Sequence, residues 1–264
     1  MLTIKLFDED GKLVDQRSHE KETYLGFKDR PYSPGEKIVV ETDTSNQFVW
    51  VQVDEAIEPS LVYFKEKVWE FPIITDDELR RAYCSHLFSG PKHYIRAFLP
   101  SAAEVSAYRN LARNAHDQKE DTGVYPHAYA NVETRNESTF FARNAIDGII
   151  ANESHGSYPY QSWGINQQAD AQLTIDFGRK IRTDKIALVL RGDYPHDSYW
   201  TQVTLSFDDD SEYVLKTEDK MDRQYFEFPE QITQTVTLKD LIKHEDESPF
   251  PALTEFEVYG HEVN

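Results

Sequence analysis

Apolar and polar residues alternate with a period of two through much of this chain, in short runs separated by turn-forming residues. Leu2, Ile4 and Leu6 occupy every second position before the turn Asp8-Glu9-Asp10-Gly11, and residues 37–40 follow Pro34-Gly35. Residues 48–53, 61–64 and 93–98 carry similar runs. Such alternation predicts half-buried strands. One helix is signalled by the capping box Ser101-Ala102-Ala103-Glu104, followed by Val105, Tyr108, Leu111 and Ala112 at helical spacing, which predicts a helix to about residue 114. Residues 116–126 are polar, charged and punctuated by Gly and Pro, the composition of a linker. Alternation then returns at 173–177, 186–190, 203–207, 213–215, 226–228, 232–238 and 256–258. The predicted fold class is therefore all-β: a β-sandwich over 1–115, a linker over 116–126, a second sandwich of jelly-roll type over 127–264, and one short helix near the junction.

Composition changes this picture little. A chain of 264 residues can bury two separate cores, and 13% aromatics against two Met suggest cores of Tyr, Phe, Val, Ile and Leu. A net charge of −19 would repel a phosphate backbone or an anionic bilayer, so neither nucleic acid nor membrane is an expected partner. The single cysteine, Cys84, excludes an internal disulfide. The N-terminus reads as a strand rather than an export signal, so the chain as written is expected in the cytoplasm. An exported protein shorn of its signal would read the same way.

The second half carries a series of short motifs in a fixed order. Ala130-Asn131-Val132 comes first, then Ala142-Arg143-Asn144-Ala145-Ile146-Asp147-Gly148 and Ser162-Trp163. Leu173-Thr174-Ile175-Asp176-Phe177-Gly178, Val203 to Asp210, and Thr254-Glu255-Phe256-Glu257-Val258-Tyr259-Gly260 complete it. This order is similar to that of the discoidin, or coagulation-factor type C, group of galactose-binding-like domains, to which several carbohydrate-binding modules belong. The resemblance spans residues 127–261; residues 1–115 match no family by motif. It implies a jelly roll with Trp163 plugging one end, and a non-catalytic protein that recognises a saccharide or glycan through loops at one rim. An adhesion or protein-interaction module, with a protein partner, is the alternative, as is a sugar-active enzyme with its site between the domains. The resemblance also implies a structural Ca²⁺ held by Asp147 and Glu255, with Asn144 and Asn152 supplying loop oxygens. Here the segment after Gly148 is longer and less acidic than usual, and an Asx-turn without metal is the competing reading.

Two loops combine the side chains that sugars require, aromatic faces for C–H surfaces and polar donors and acceptors for hydroxyls. One holds His155, Tyr158, Tyr160 and Gln161; the other holds Arg191, Asp193, Tyr194, His196, Asp197 and Trp200. A structural reading stands beside this one: Arg191–Asp193 and His196–Asp197 brace a long loop, and Trp200 packs inside. An enzyme would use His155 or His196 as base, oriented by Asp197 or Glu153. No nucleophile elbow, phosphate loop or His-x-x-x-His pair is present, and Cys84-Ser85-His86, with His93 nearby in sequence, is too tight for the usual zinc loops.

Overall fold

The computed structural model describes residues 1–193 and 198–263, so the candidate residues Tyr194, His196 and Asp197 lie outside the described residues. In the N-terminal half two antiparallel sheets face each other. One runs in the order Leu13–His19, Leu2–Phe7, Lys37–Thr42, Val68–Pro72. The other runs Val124–Tyr125, Ser60–Phe64, Gln47–Gln52, His93–Phe98, Glu22–Phe27. Alternation places Leu2, Ile4, Leu6, Ile38 and Val40 of the first sheet against Val49, Val51, Val62 and Phe64 of the second, with Trp69 and Phe71 filling the space between. Leu13–His19 is exposed throughout; it sits at a sheet edge and has no core face, which is why no alternation marks it.

The second half builds one hydrogen-bonded sheet that folds over on itself. Leu173–Leu190 pairs along its length with Gln224–Lys243, and its two ends take different further neighbours. Residues 173–176 pair with His127–Ala130, whereas 181–190 pair with Ala252–Glu262. The register shifts between Asp176 and Ile181 mark the bend that lets one strand serve both layers. Gly178 lies in that bend with φ +67, and a Cβ there would meet the Tyr125 ring at 2.4 Å, so both conformation and contact demand glycine. The enclosed core holds Trp163, Phe177, Trp200 and Phe256, none with exposed surface. The result is an all-β jelly-roll sandwich, with Trp163 buried as expected and its Nε1 donating to Val132 O at 2.9 Å.

The junction departs from the sequence reading. The helix covers only Ala102–Ser106, capped as expected by Ser101 and Glu104. Arg109 and Asn110 then pair in β register with Gly260 and Tyr259, and Leu111 and Ala112 enter the C-terminal core. Burial at that sheet outweighs the weak helical propensity of a short segment. Ala115 and Val124 belong to the N-terminal core, and Val124–Tyr125 pairs with Phe64 and Tyr63. The stretch 116–126 is thus packed rather than a free linker at both ends. His116 is buried, accepting from Val53 N at 3.3 Å and lying 3.2 Å from Ser60 Oγ; burial, with Arg143 nearby, pushes its pKa down to about 3. Buried Asp117 meets His127 Nδ1 and Ala128 N, each at 2.9 Å.

A fragment beginning at residue 124 would lose the Arg109–Asn110 pairing, the Leu111 and Ala112 contacts and the Asp117 brace. It is expected to melt without a cooperative transition or to aggregate. A fragment of residues 107–264 keeps all three and is expected to melt cooperatively. Equal melting of the two fragments by circular dichroism would show that the crossing segment contributes nothing.

Candidate functional site

The strand Leu173–Leu190 ends beside the loop that contains Asn152, and the two are clipped together. Asn152 Nδ2 donates to Leu190 O at 2.7 Å and Met221 O at 2.9 Å, and Gly192 N donates to Asn152 O at 3.0 Å. Arg191 N donates to Ala252 O at 3.1 Å, so the residue after the strand is fixed against the last strand of the sheet. The Arg191 guanidinium pairs with Asp193 at 2.8 Å, both side chains being 5% exposed. Arg191 Nη2 also donates to Phe250 O, and the other Asp193 oxygen contacts His155 Nδ1. Burial pulls the Arg191 pKa down and the Asp193 charge opposes that; a guanidinium stays charged under either influence.

Arg191 and His155 line a single cleft of about 110 Å³, opposite Thr134, Arg135 and Phe140, with Phe250 at its side. Residues 164–167 complete the wall. The two sequence-defined loops therefore meet through His155, Asp193 and Arg191. Arg135 is held by Glu137, with Nε 2.5 Å from Oε1, and Asn166 N donates to Thr134 Oγ1 at 2.9 Å. Arg135, Asn136, Asn166 and Gln167 all have positive φ, uncommon for residues other than glycine. Thr134, Arg135, Phe140 and Phe250 escaped the sequence reading because they come from two segments more than a hundred residues apart. The polar run Asn166-Gln167-Gln168 was the only local signal.

Other candidates lie elsewhere. Trp200 has no exposed surface and its ring lies 6.3 Å from that of Trp163, so it is a core residue and not a ligand contact. Tyr158 and Gln161 border a separate cleft at the domain junction, with Tyr83, Cys84, Arg143 and Asp147. Tyr158 N donates to Arg81 O of the N-terminal half at 2.8 Å. Tyr160 is half-buried and does not line the rim cleft. The neighbour of His155 is Asp193, and Glu153 is exposed.

A second polar cluster surrounds the tight turn at Gly148. Asp147 Oδ1 accepts from Ile149 N at 2.8 Å and Oδ2 from Gln161 Nε2 at 2.7 Å, and Glu255 Oε2 accepts from Gly148 N at 3.2 Å. Gly148 itself has φ +87, with Arg113 against its Cα. Both carboxyls are buried. Burial raises the Asp147 pKa to about 6 although Arg143 and Arg113 pull it down. Burial, then the charges of Asp147 and Glu257, raise that of Glu255 well above the usual range. Asn144 Oδ1, Gln161 Oε1 and Glu255 Oε1 are buried with no hydrogen-bond partner among the described residues. Two buried carboxylates that repel, with a Glu255 oxygen and the Asn144 and Gln161 amide oxygens left without a donor, supply the chemistry of a hard cation. Asp147, Glu255 and Asn144 thus fit Ca²⁺. The Asn152 side chain is oriented by its Nδ2, which donates to Leu190 O and Met221 O.

Fold and site together define a two-sandwich protein with a polar-aromatic cleft on the rim of its C-terminal jelly roll. No protein-family model matches the chain, and no curated protein matches it. Among solved structures it is similar to chitosan-binding module 1 of a chitosanase/glucanase from Paenibacillus sp. IK-5, at 20% identity and TM-score 0.39, over 57% of this chain and 98% of that one. It is also similar to the family 32 carbohydrate-binding module of C. perfringens NanJ in complex with galactose, at 20% identity and TM-score 0.38, over 50% of this chain and 91% of that one. A Streptococcus pneumoniae fucose-binding module is similar at 14% identity and TM-score 0.42, over 58% of this chain and 96% of that one.

Proposed function

We propose that the C-terminal sandwich binds a saccharide in the rim cleft, and that this is a recognition protein rather than a catalyst. The observation that supports it is the Arg191–Asp193–His155 chain set beside Phe250 and Phe140. A buried ion pair fixes the guanidinium and imidazole in place, so little side-chain entropy is lost when a ligand docks. Ring hydroxyls would meet Arg191, His155 and Arg135; an apolar sugar face would meet the phenylalanine rings. At about 110 Å³ the cleft is well below the ~300–1,000 Å³ of drug-sized pockets, which suits a terminal sugar rather than a length of chain. A glycan array on the full chain tests this, with galactose- and fucose-terminated glycans as first probes. Binding to terminal saccharides that free monosaccharide displaces is the expected result. An array without signal, on a protein that melts cooperatively, would turn attention to protein partners.

A structural Ca²⁺ belongs to the same proposal. Asp147 and Glu255 would hold it with the Asn144 side-chain oxygen, and its charge would relieve the repulsion between the two carboxylates. It would thereby fix the Gly148 turn beneath the loop that delivers Asn152 and His155.

A further inference from the structure

The N-terminal sandwich contains a polar cluster that the rim cleft does not use. Gln47–Gln52 and His93–Phe98 are antiparallel neighbours, with Gln52 opposite Arg96. Continuing past Val53, the chain brings Asp54 and Glu55 level with His93. One ligating atom from each of these three side chains lies within 4.8 Å of the others, and His93 Nδ1 is 4.0 Å from Asp54 Oδ2. The His93 and Asp54 side chains are each 1% exposed, while Glu55 is open to solvent.

An independent observation comes from the imidazole itself. Neither ring nitrogen of His93 has a hydrogen-bond partner among the described residues. A neutral imidazole always carries one N–H and one lone pair, and leaving both buried and unmet is unfavourable. Tyr32 stacks on the ring at 3.9 Å, and its hydroxyl also lacks a partner. Asp54 is aimed by backbone: Ala56 N donates to Oδ1 at 2.9 Å and Phe88 N to Oδ2 at 3.1 Å. Each carboxylate oxygen retains a second lone pair. Glu55 Oε2 accepts from Tyr94 N at 3.3 Å, which draws that side chain toward the same strand.

We propose that Asp54, Glu55 and His93 form a binding site for a divalent transition metal of the Zn²⁺ class. One imidazole nitrogen with two carboxylate oxygens suits a borderline cation better than calcium, which takes oxygen alone. A tetrahedral ion with bonds of about 2.0–2.1 Å holds its ligand atoms about 3.4 Å apart, so His93 and Asp54, now 4.0 Å apart, would draw together by about half an ångström on binding. Exposed Glu55 provides the entry path, and water fills the remaining position. The rival pair is Cys84 and His86, whose Sγ and Nδ1 lie 3.5 Å apart; it offers two ligands and no carboxylate in the cluster.

The full chain, stripped of metal and kept in Ca²⁺ to occupy the C-terminal cluster, is titrated with ZnCl₂ by calorimetry. Crystals soaked in the same salt are measured at the zinc edge. The expected result is an anomalous peak among Asp54, Glu55 and His93. Glu55→Gln is expected to weaken binding roughly tenfold or more without changing the metal-free melting temperature, because Glu55 is exposed. Asp54→Asn should weaken it further, and Cys84→Ser should leave it unchanged. A peak only at Cys84 and His86, no peak at all, or Glu55→Gln binding zinc like the parent would overturn the assignment. The Glu55 variant keeps the test decisive even if Asp54→Asn fails to fold.

Discussion

Arg191→Ala is expected to abolish saccharide binding and to lower the melting temperature on the order of 10 °C. Arg191 and Asp193 are 5% exposed and paired at 2.8 Å. Removing one partner leaves a buried charge uncompensated, which costs about 3–5 kcal/mol, and each kcal/mol is worth about 2–4 °C in a protein of this size. Loss of binding by this variant alone would therefore not separate recognition from folding. The double replacement Arg191→Met, Asp193→Asn separates them, because swapping both members of a buried pair for neutral groups of similar volume is often near neutral for stability. That variant is expected to melt within a few degrees of the parent and still fail on the array. His155→Ala offers a milder check: the side chain is 41% exposed, so its removal should cost little stability. It should weaken binding about 10–100-fold, the worth of one well-placed hydrogen bond of ~1–3 kcal/mol. A folded double variant that binds like the parent would move the site off this cleft.

Which of these residues could be found without coordinates depended on how local their signal was. Alternation identified Leu2–Phe7, Lys37–Thr42, His93–Phe98 and the core of Leu173–Leu190, because a half-buried strand writes its own period into the chain. The exposed edge strand Leu13–His19 wrote none. Helical spacing of Val105, Tyr108 and Leu111 misled, because Leu111 is fixed by a hydrogen bond to Val258 O at 2.7 Å, far away in sequence. The 155 and 191–193 loops stood out through composition, and hydrogen bonding across the rim joins them. Trp200 shared that composition but is the first residue of a strand whose inward face fills the core, and residue type alone does not reveal the face. Arg135 and Phe250 reach the cleft only through the closure of the sheet, a long-range property that no short window contains.

Millimolar Ca²⁺ is expected to raise the melting temperature by several degrees near pH 7.5, and this gain should vanish by about pH 4.5. Asp147 is pushed up to about 6, and Glu255 is raised as well, whereas carboxyls in the unfolded chain titrate near 4. The folded state thus takes up protons more readily than the unfolded one between those values. Without calcium, this pair contributes stability that is full below about pH 4 and is lost as the pH rises through about 6 and beyond. In chelator the protein should therefore become more stable as the pH falls from about 7.5 to about 5. Calcium reverses the order, since it binds the ionised pair and must compete with protons for it. Asp54 and Asp117 are also pushed up by burial and add to the slope in chelator. Comparison with Asp147→Asn isolates the contribution of the pair, because that variant keeps the shape of the side chain while removing its charge. It is expected to flatten part of the pH slope in chelator and to lose most of the calcium response. A parent protein that melts identically in calcium and in chelator at pH about 7.5 would mean that the cluster is held by Gln161 and the backbone amides of Gly148 and Ile149 alone.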